Sequence, residues 1–236
     1  MPDHLDVAFD LTLAHGRCVG VRLPEDDARL EALAQVALAH DERAFAERLG
    51  RLRRRTWVGG RAALREALVR SGLAAPPCLA DERGAPTLPA GIGGSISHKD
   101  DLAVALVAQG EAAVGVDVEV EVDAPHRIDI APRVLTSSEA EELAGLDPAA
   151  RAAQVLLRFS LKEAVYKALD RFVRRYVAFT EVAARPRADG GADVTLFLAP
   201  GSTAGEGPFL VEATWRRWQR FVLTTARVEA RGRIAR

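Results

Sequence analysis

The segment Phe159-Ser160-Leu161-Lys162-Glu163-Ala164-Val165-Tyr166-Lys167 holds two of the three lysines in a chain that otherwise uses arginine. Glu163 and Lys167 stand four residues apart with the acid first, which on a helix puts them on one face in the favourable ion-pair orientation. Alone, such a pair is a surface contact worth about 0.3–0.5 kcal/mol. Beside further carboxylates it could supply a metal ligand and a cation for phosphate. The third lysine, Lys99, follows His98.

A second acidic group lies in Gly115-Val116-Asp117-Val118-Glu119-Val120-Glu121-Val122-Asp123. Strict alternation puts four carboxylates on one face of a strand and the valines on the other. Taken alone, this reads as a solvated outer face over a valine-packed core. The alternative is a hard-cation site, since Mg²⁺ takes carboxylate oxygens and keeps water and substrate phosphate as its other ligands. Gly94-Ser95-Ile96-Ser97-His98 offers a hydroxyl, an imidazole and main-chain N–H groups where a loop enters a strand. That set suits phosphate, although a structural histidine and turn chemistry at Ser97 are the plainer readings. Nothing around it resembles a serine-hydrolase elbow. Arg51, Arg53, Arg54, Arg55 and Arg61, with Trp57 among them, form the one dense basic cluster. It reads as a solvated helix face or, functionally, as a site for a small polyphosphate, whose oxygens match guanidinium forks.

These residues must be held by an α+β arrangement. Residues 5–13 and 16–23 alternate as a hairpin. Residues 25–50 and 52–73 have helical periodicity, and the Gly59-Gly60 pair weakens the second. Residues 74–94, rich in Pro and Gly, form a long loop of the kind that more often carries function. Strands follow at 102–108 and 113–122. Asp147-Pro148 supplies an N-cap and a first-turn proline for a helix to about residue 169, with the lysine motif near its end. Three strands, 193–198, 209–215 and 221–228, separated by glycine-rich turns, complete the chain.

With 236 residues, 48% of them apolar, and a net charge of −1, the composition is that of a globular protein able to bury a core. It disfavours a general nucleic-acid binder. Cys18 and Cys78 are too few and too far apart for a disulfide framework or zinc site, and read as reduced, partly buried thiols of a cytoplasmic protein. Residues 1–13 lack the basic and apolar regions of a signal peptide, and no apolar run is long enough for a membrane span.

In order along the chain, Gly60-Arg61, Arg83-Gly84-Ala85-Pro86, Ser95-Ile96-Ser97-His98, Gly115-Val116-Asp117-Val118-Glu119 and the Phe159–Lys167 motif resemble the 4′-phosphopantetheinyl transferases, in their long, surfactin-synthetase-activating and enterobactin type. Phe179-Thr180-Glu181-Val182 extends the match more faintly. The resemblance implies a pseudo-dimeric fold of two similar α+β subdomains, set here at residues 1–112 and 113–236, with coenzyme A bound in the cleft between them. It implies Mg²⁺-dependent transfer, with Mn²⁺ as a substitute, of the 4′-phosphopantetheine arm to a serine of an apo carrier protein, releasing 3′,5′-ADP. Fatty-acid, polyketide and nonribosomal-peptide carriers are all candidate partners, served by a monomer without nucleic acid or membrane. Asp117, Glu119 and Glu163 would hold the metal. Glu163 would also be the base for the carrier serine, and Lys167 would bind the pyrophosphate. Ser97 and His98 would contact the 3′-phosphate, with Arg55 and Arg61 adding charge around the nucleotide. Where many relatives carry lysine this chain has Ala85, and Arg83 is the candidate replacement.

Overall fold

The computed structural model describes residues 5–121, 130–198 and 208–231. The chain divides into two compact units, Met1–Glu111 and Ala112–Arg236.

In the first unit, strands β1 (Val7–Leu13) and β2 (Gly16–Arg22) form the expected hairpin. The predicted single helix over 25–50 is two, α1 (Asp27–Ala37) and α2 (His40–Ala46), parted at Leu38-Ala39 where the chain extends. Helix α3 (Arg51–Arg70) runs unbroken through Gly59-Gly60. A Cβ at Gly59 would sit 1.9 Å from Leu23 Cδ2 and one at Gly60 2.8 Å from Ile96 Cγ2. The pair that lowers helix propensity is thus the device that lets α3 lie flat on the sheet. Strand β3 (Ile92–Lys99) pairs with β4 (Leu102–Gln109), giving the antiparallel order β1-β2-β4-β3. Val19, Val21, Leu64, Leu68 and Ala105 form the core beneath α3. Leu30, Leu33, Trp57 and Val58 pack α1 onto it.

In the second unit, β5 (Ala113–Val120) is the edge of a sheet ordered β5-β9-β8-β7-β6. Helices α4 (Ala131–Val134) and α5 (Ser137–Glu142) precede α6 (Pro148–Val173). The Asp147 side chain caps α6 by accepting from the N–H groups of Ala149 and Ala150, and Arg174 ends it in a left-handed conformation. Strands β6 (Val182–Pro186), β7 (Gly191–Leu196), β8 (Phe209–Trp218) and β9 (Phe221–Ala230) follow. The β8–β9 turn is Gln219-Arg220, without the expected glycine; Gln219 itself takes the positive φ of 52°. Leu161, Val165, Leu169, Val222 and Ala226 form the core between α6 and the sheet.

Helix α6 meets β5 main chain to main chain at Gly115, where a Cβ would lie 1.9 Å from the carbonyl oxygen of Ala164. Backbone cannot yield as a side chain does. Gly115→Ala is expected to cost about 3 kcal/mol, the upper end of overpacking penalties, and a thermal melt reads it directly. Cys18 and Cys78 are buried free thiols, and burial pushes the Cys78 thiol up. Among the described residues no helix is long and apolar enough to cross a membrane.

Candidate active site

The carboxylates of β5 are not on a solvated face, as the strand taken alone suggested. Asp117 and Glu119 are only 5% and 8% exposed, and the valines of the opposite face are buried too. The reason is α6, which covers the Gly115-Asp117-Glu119 side and brings Glu163 and Lys167 to it. Lys167 Nζ donates to Asp117 Oδ1 at 2.8 Å and to the Val116 carbonyl at 3.0 Å. Burial pushes the Glu163 carboxyl above its ordinary range; Lys167 holds it down in part, while Asp117 and Glu119 raise it further. Three acids and one ammonium therefore share one electrostatic environment. The other two acids of the alternating strand part from them. Glu121 turns to a bidentate contact with Arg217 at 2.8–2.9 Å, and Asp123 lies outside the described residues.

Two hydroxyls that sequence reasoning passed over complete this group. Ser160 Oγ donates to Asp117 Oδ2 at 2.8 Å and lies 2.9 Å from Thr224 Oγ1. The available signal was Ser160's place within the motif; Thr224 had none, being brought in by its pairing with Asp117 across β5 and β9.

Lys162 is 1% exposed and faces away from the carboxylates. Its ammonium donates to Glu139 Oε2 and the Val134 carbonyl at 2.6 Å each, and to the Phe179 carbonyl at 3.2 Å. Glu139 in turn accepts from the N–H groups of Ala184 and Thr136. Burial pulls the Lys162 ammonium down, and its hydrogen bond to Glu139 opposes that. Lys162 is thus a tie between α6 and the segments on either side of it.

In the first unit Ser97 and His98 are neighbours on β3 and take opposite faces, Ser97 buried and His98 exposed. Arg83 is exposed on a tight turn in which Asp81 Oδ1 accepts from its N–H and from that of Ala85, with Gly84 at φ 87°. Arg55 donates to the carbonyls of Pro24, Leu23 and Asp100 at 2.6, 3.0 and 3.2 Å. All three of its nitrogens are thereby engaged, which makes it a brace for main chain. Arg61 is 6% exposed and stacks on Trp57, its guanidinium 4.0 Å from the ring centre; burial lowers its pKa. Arg51 and Arg54 pair with Asp27 and Glu31. The basic cluster is therefore largely spent inside its own unit. A groove of about 950 Å³ lined by Arg22, Pro24, Asp26 and Arg51, among others, takes one member of the basic cluster and none of Arg55, Arg61, Arg83, Ser97 and His98.

The donor chemistry of Asp117, Glu119 and Glu163 is that of a hard cation, all carboxylate with neither thiolate nor imidazole. Among the described residues no three His, Cys, Asp or Glu side chains converge into a ready coordination sphere. Mg²⁺ does not demand one, since it is ordinarily bound by one or two carboxylates with water and substrate phosphate. Lys167 meets the acids of this face at Asp117, and a divalent cation bound among their oxygens would add positive charge to a buried acidic group.

Comparison with known proteins bears on both units. The 4′-phosphopantetheinyl transferase N-terminal domain matches residues 41–108, and the 4′-phosphopantetheinyl transferase superfamily matches residues 113–225. The 4′-phosphopantetheinyl transferase Svp of Streptomyces mobaraensis is 33% identical over 212 residues, 88% of this chain and 82% of that protein. Enterobactin synthase component D of Salmonella typhimurium is 31% identical over 176 residues, covering 74% and 72%. Among solved structures, a holo-(acyl-carrier-protein) synthase from Bacillus anthracis in complex with CoA (3′,5′-ADP) aligns with 50% of this chain and 96% of its own, at 20% identity and a TM-score of 0.40. The two sequence matches together span Asp117, Glu119 and the whole of α6, and with the similarity to Svp they make the chain a transferase that belongs to the 4′-phosphopantetheinyl transferase superfamily.

Proposed function

We propose that the protein moves the 4′-phosphopantetheine group of coenzyme A onto a serine hydroxyl of an apo carrier protein, releasing 3′,5′-ADP, with Mg²⁺ as the metal and Mn²⁺ as its substitute. The observation that carries this reading is the burial of Asp117 and Glu119 against Glu163 and Lys167 on one face of β5. Asp117, Glu119 and Glu163 would hold the ion, which when bound supplies positive charge to the pyrophosphate. The remaining work falls to side chains. The serine oxygen forms a bond to the phosphorus bearing the pantetheine arm, and the P–O bond to 3′,5′-ADP breaks with its electron pair leaving on the nucleotide's phosphate. Glu163, facing Asp117 and Glu119 from α6, takes the serine proton directly or through water. Lys167, anchored at Asp117, offers its charge to the departing phosphate.

His98 and Arg83, both exposed, are proposed as contacts for phosphate, with Ser97 beside them. Arg55 and Arg61 would act indirectly, by shaping main chain and by stacking. A cytoplasmic monomer suits this chemistry. The test is mass spectrometry of apo acyl and peptidyl carriers incubated with protein, coenzyme A and Mg²⁺. One phosphopantetheine is expected per carrier, with the gain abolished by EDTA. No mass change on any carrier class would sink the reading. Activity that survives EDTA would point to a different coenzyme A chemistry.

A further inference from the structure

A carboxylate that is to receive a cation must be held in one orientation. We propose that Ser160 and Thr224 are positioning residues that fix Asp117 through a relay of two hydroxyls, an inference that rests on the reading of the site just given. Ser160 Oγ donates to Asp117 Oδ2 at 2.8 Å, Thr224 Oγ1 lies 2.9 Å from Ser160 Oγ, and the same Thr224 oxygen lies 2.9 Å from the Ser160 carbonyl. Both residues are 0% exposed.

Counting protons gives the relay a direction. Two hydroxyl protons serve three contacts. An ionised carboxylate can only accept, so the Ser160 proton goes to Asp117, and the Thr224 proton is shared between the Ser160 hydroxyl and carbonyl oxygens. The chain of donation runs Thr224 to Ser160 to Asp117, each bond polarising the next. Serine in the middle of a helix ordinarily bonds back to its own carbonyls or faces water. Ser160 does neither, and instead crosses to the sheet. Thr224 stands directly opposite Asp117 in the β5–β9 ladder, so the relay joins helix, edge strand and neighbouring strand at the proposed ligand. Asp117 Oδ1 accepts from Lys167, and both carboxylate oxygens are thereby aimed by donors of α6. Alanine and valine would fill similar space without burying two hydroxyls; what the hydroxyls add is the orientation of Asp117.

The test is Mn²⁺ binding, followed by electron paramagnetic resonance with coenzyme A present, in wild type, Ser160→Ala, Thr224→Val and Thr224→Ser. Loss of an outer partner of a metal ligand typically weakens binding by 10–100-fold, so Ser160→Ala and Thr224→Val are expected to weaken Mn²⁺ binding by about tenfold. They should raise by a similar factor the Mg²⁺ concentration needed for half-maximal transfer, and leave the rate at saturating Mg²⁺ near wild type. Thr224→Ser, which keeps the hydroxyl, should bind as wild type does. If Ser160→Ala fails to fold, the Thr224 pair decides alone. Mn²⁺ affinity unchanged in Ser160→Ala and Thr224→Val overturns the positioning role while leaving the site intact, as does Thr224→Ser binding as weakly as Thr224→Val. Wild-type protein that neither binds Mn²⁺ nor modifies a carrier removes the site reading and this inference with it.

Discussion

Glu163→Ala is expected to lower the initial rate of carrier modification by about three orders of magnitude, within the range a positioned base contributes. The loss has two sources, because the same carboxylate is proposed as base and as metal ligand, and excess Mg²⁺ should not restore it. A variant within tenfold of wild type would mean that the base lies elsewhere. Glu163→Gln separates catalysis from folding. The Glu163 carboxyl is raised from its ordinary 4.5 by burial, so the folded protein keeps a proton that the unfolded chain releases. Where the folded state binds more protons, stability falls as pH rises; here the loss begins near 4.5 and is complete above the raised value. Glutamine carries no charge at any pH. Without divalent metal, Glu163→Gln should therefore melt at a higher temperature than wild type at neutral pH, by about 2–4 °C for each kcal/mol recovered. The difference should vanish below the unfolded carboxylate range. A lower melting temperature at neutral pH would show that Glu163 is not a strained buried acid.

Lys162→Met should cost folding stability rather than chemistry, by about 3–5 kcal/mol, the range for breaking a buried ion pair from one side. The ammonium and Glu139 are 0% and 5% exposed, so removing the cation strands a carboxylate that still accepts from Ala184 and Thr136. Arg158 is near Glu139 at 4.0 Å but is directed to Glu142 at 3.2 Å, which makes it a poor substitute. Denaturant unfolding of Lys162→Met, Glu139→Gln and the double variant measures the coupling. The double variant should be more stable than Lys162→Met alone, because glutamine keeps an acceptor oxygen and leaves no buried charge. Strict additivity would mean that the pair is not a unit.

These two residues show what could be understood from residue types and spacing. The motif's spacing put Glu163 and Lys167 on one helix face, and alternation put Asp117 and Glu119 on one strand face. What spacing could not say is whether that strand face met water or α6, since both faces of β5 carry buried side chains. Helix α6 buries Arg158, Ser160 and Lys162 along with its aliphatic residues, so it shows no clean apolar stripe from which its orientation could be inferred. The scarcity of lysine drew attention to Lys162 and Lys167 equally. Spacing from Glu163 already favours Lys167 and turns Lys162 elsewhere; tertiary packing adds the partners, Glu139 for Lys162 and Asp117 for Lys167. The family resemblance put Arg55 and Arg61 around a nucleotide; within their own unit Arg55 donates to main-chain carbonyls and Arg61 stacks on Trp57. Strand β6 has no clear sequence signal because it is short, sits at a sheet edge and ends at Pro186, and β3 begins at Ile92, inside the span expected to be loop, because Gly93 and Gly94 resemble the loop before them.

The contact at Gly115 has a bearing on how this protein tolerates change. Where side chains separate two elements, the distance between them drifts with every substitution in the core. Here peptide groups abut, and the van der Waals radii of backbone atoms set the gap between Gly115 and Ala164. Two residues along the strand and one along the helix from that point stand Asp117 and Glu163. Conservative exchanges among Leu161, Val165 and Val222 would then alter melting temperature while leaving the spacing of the acids unaltered. Robustness of the chemistry and robustness of the fold become separate properties, with a single hydrogen atom, the side chain of one glycine, as the boundary between them.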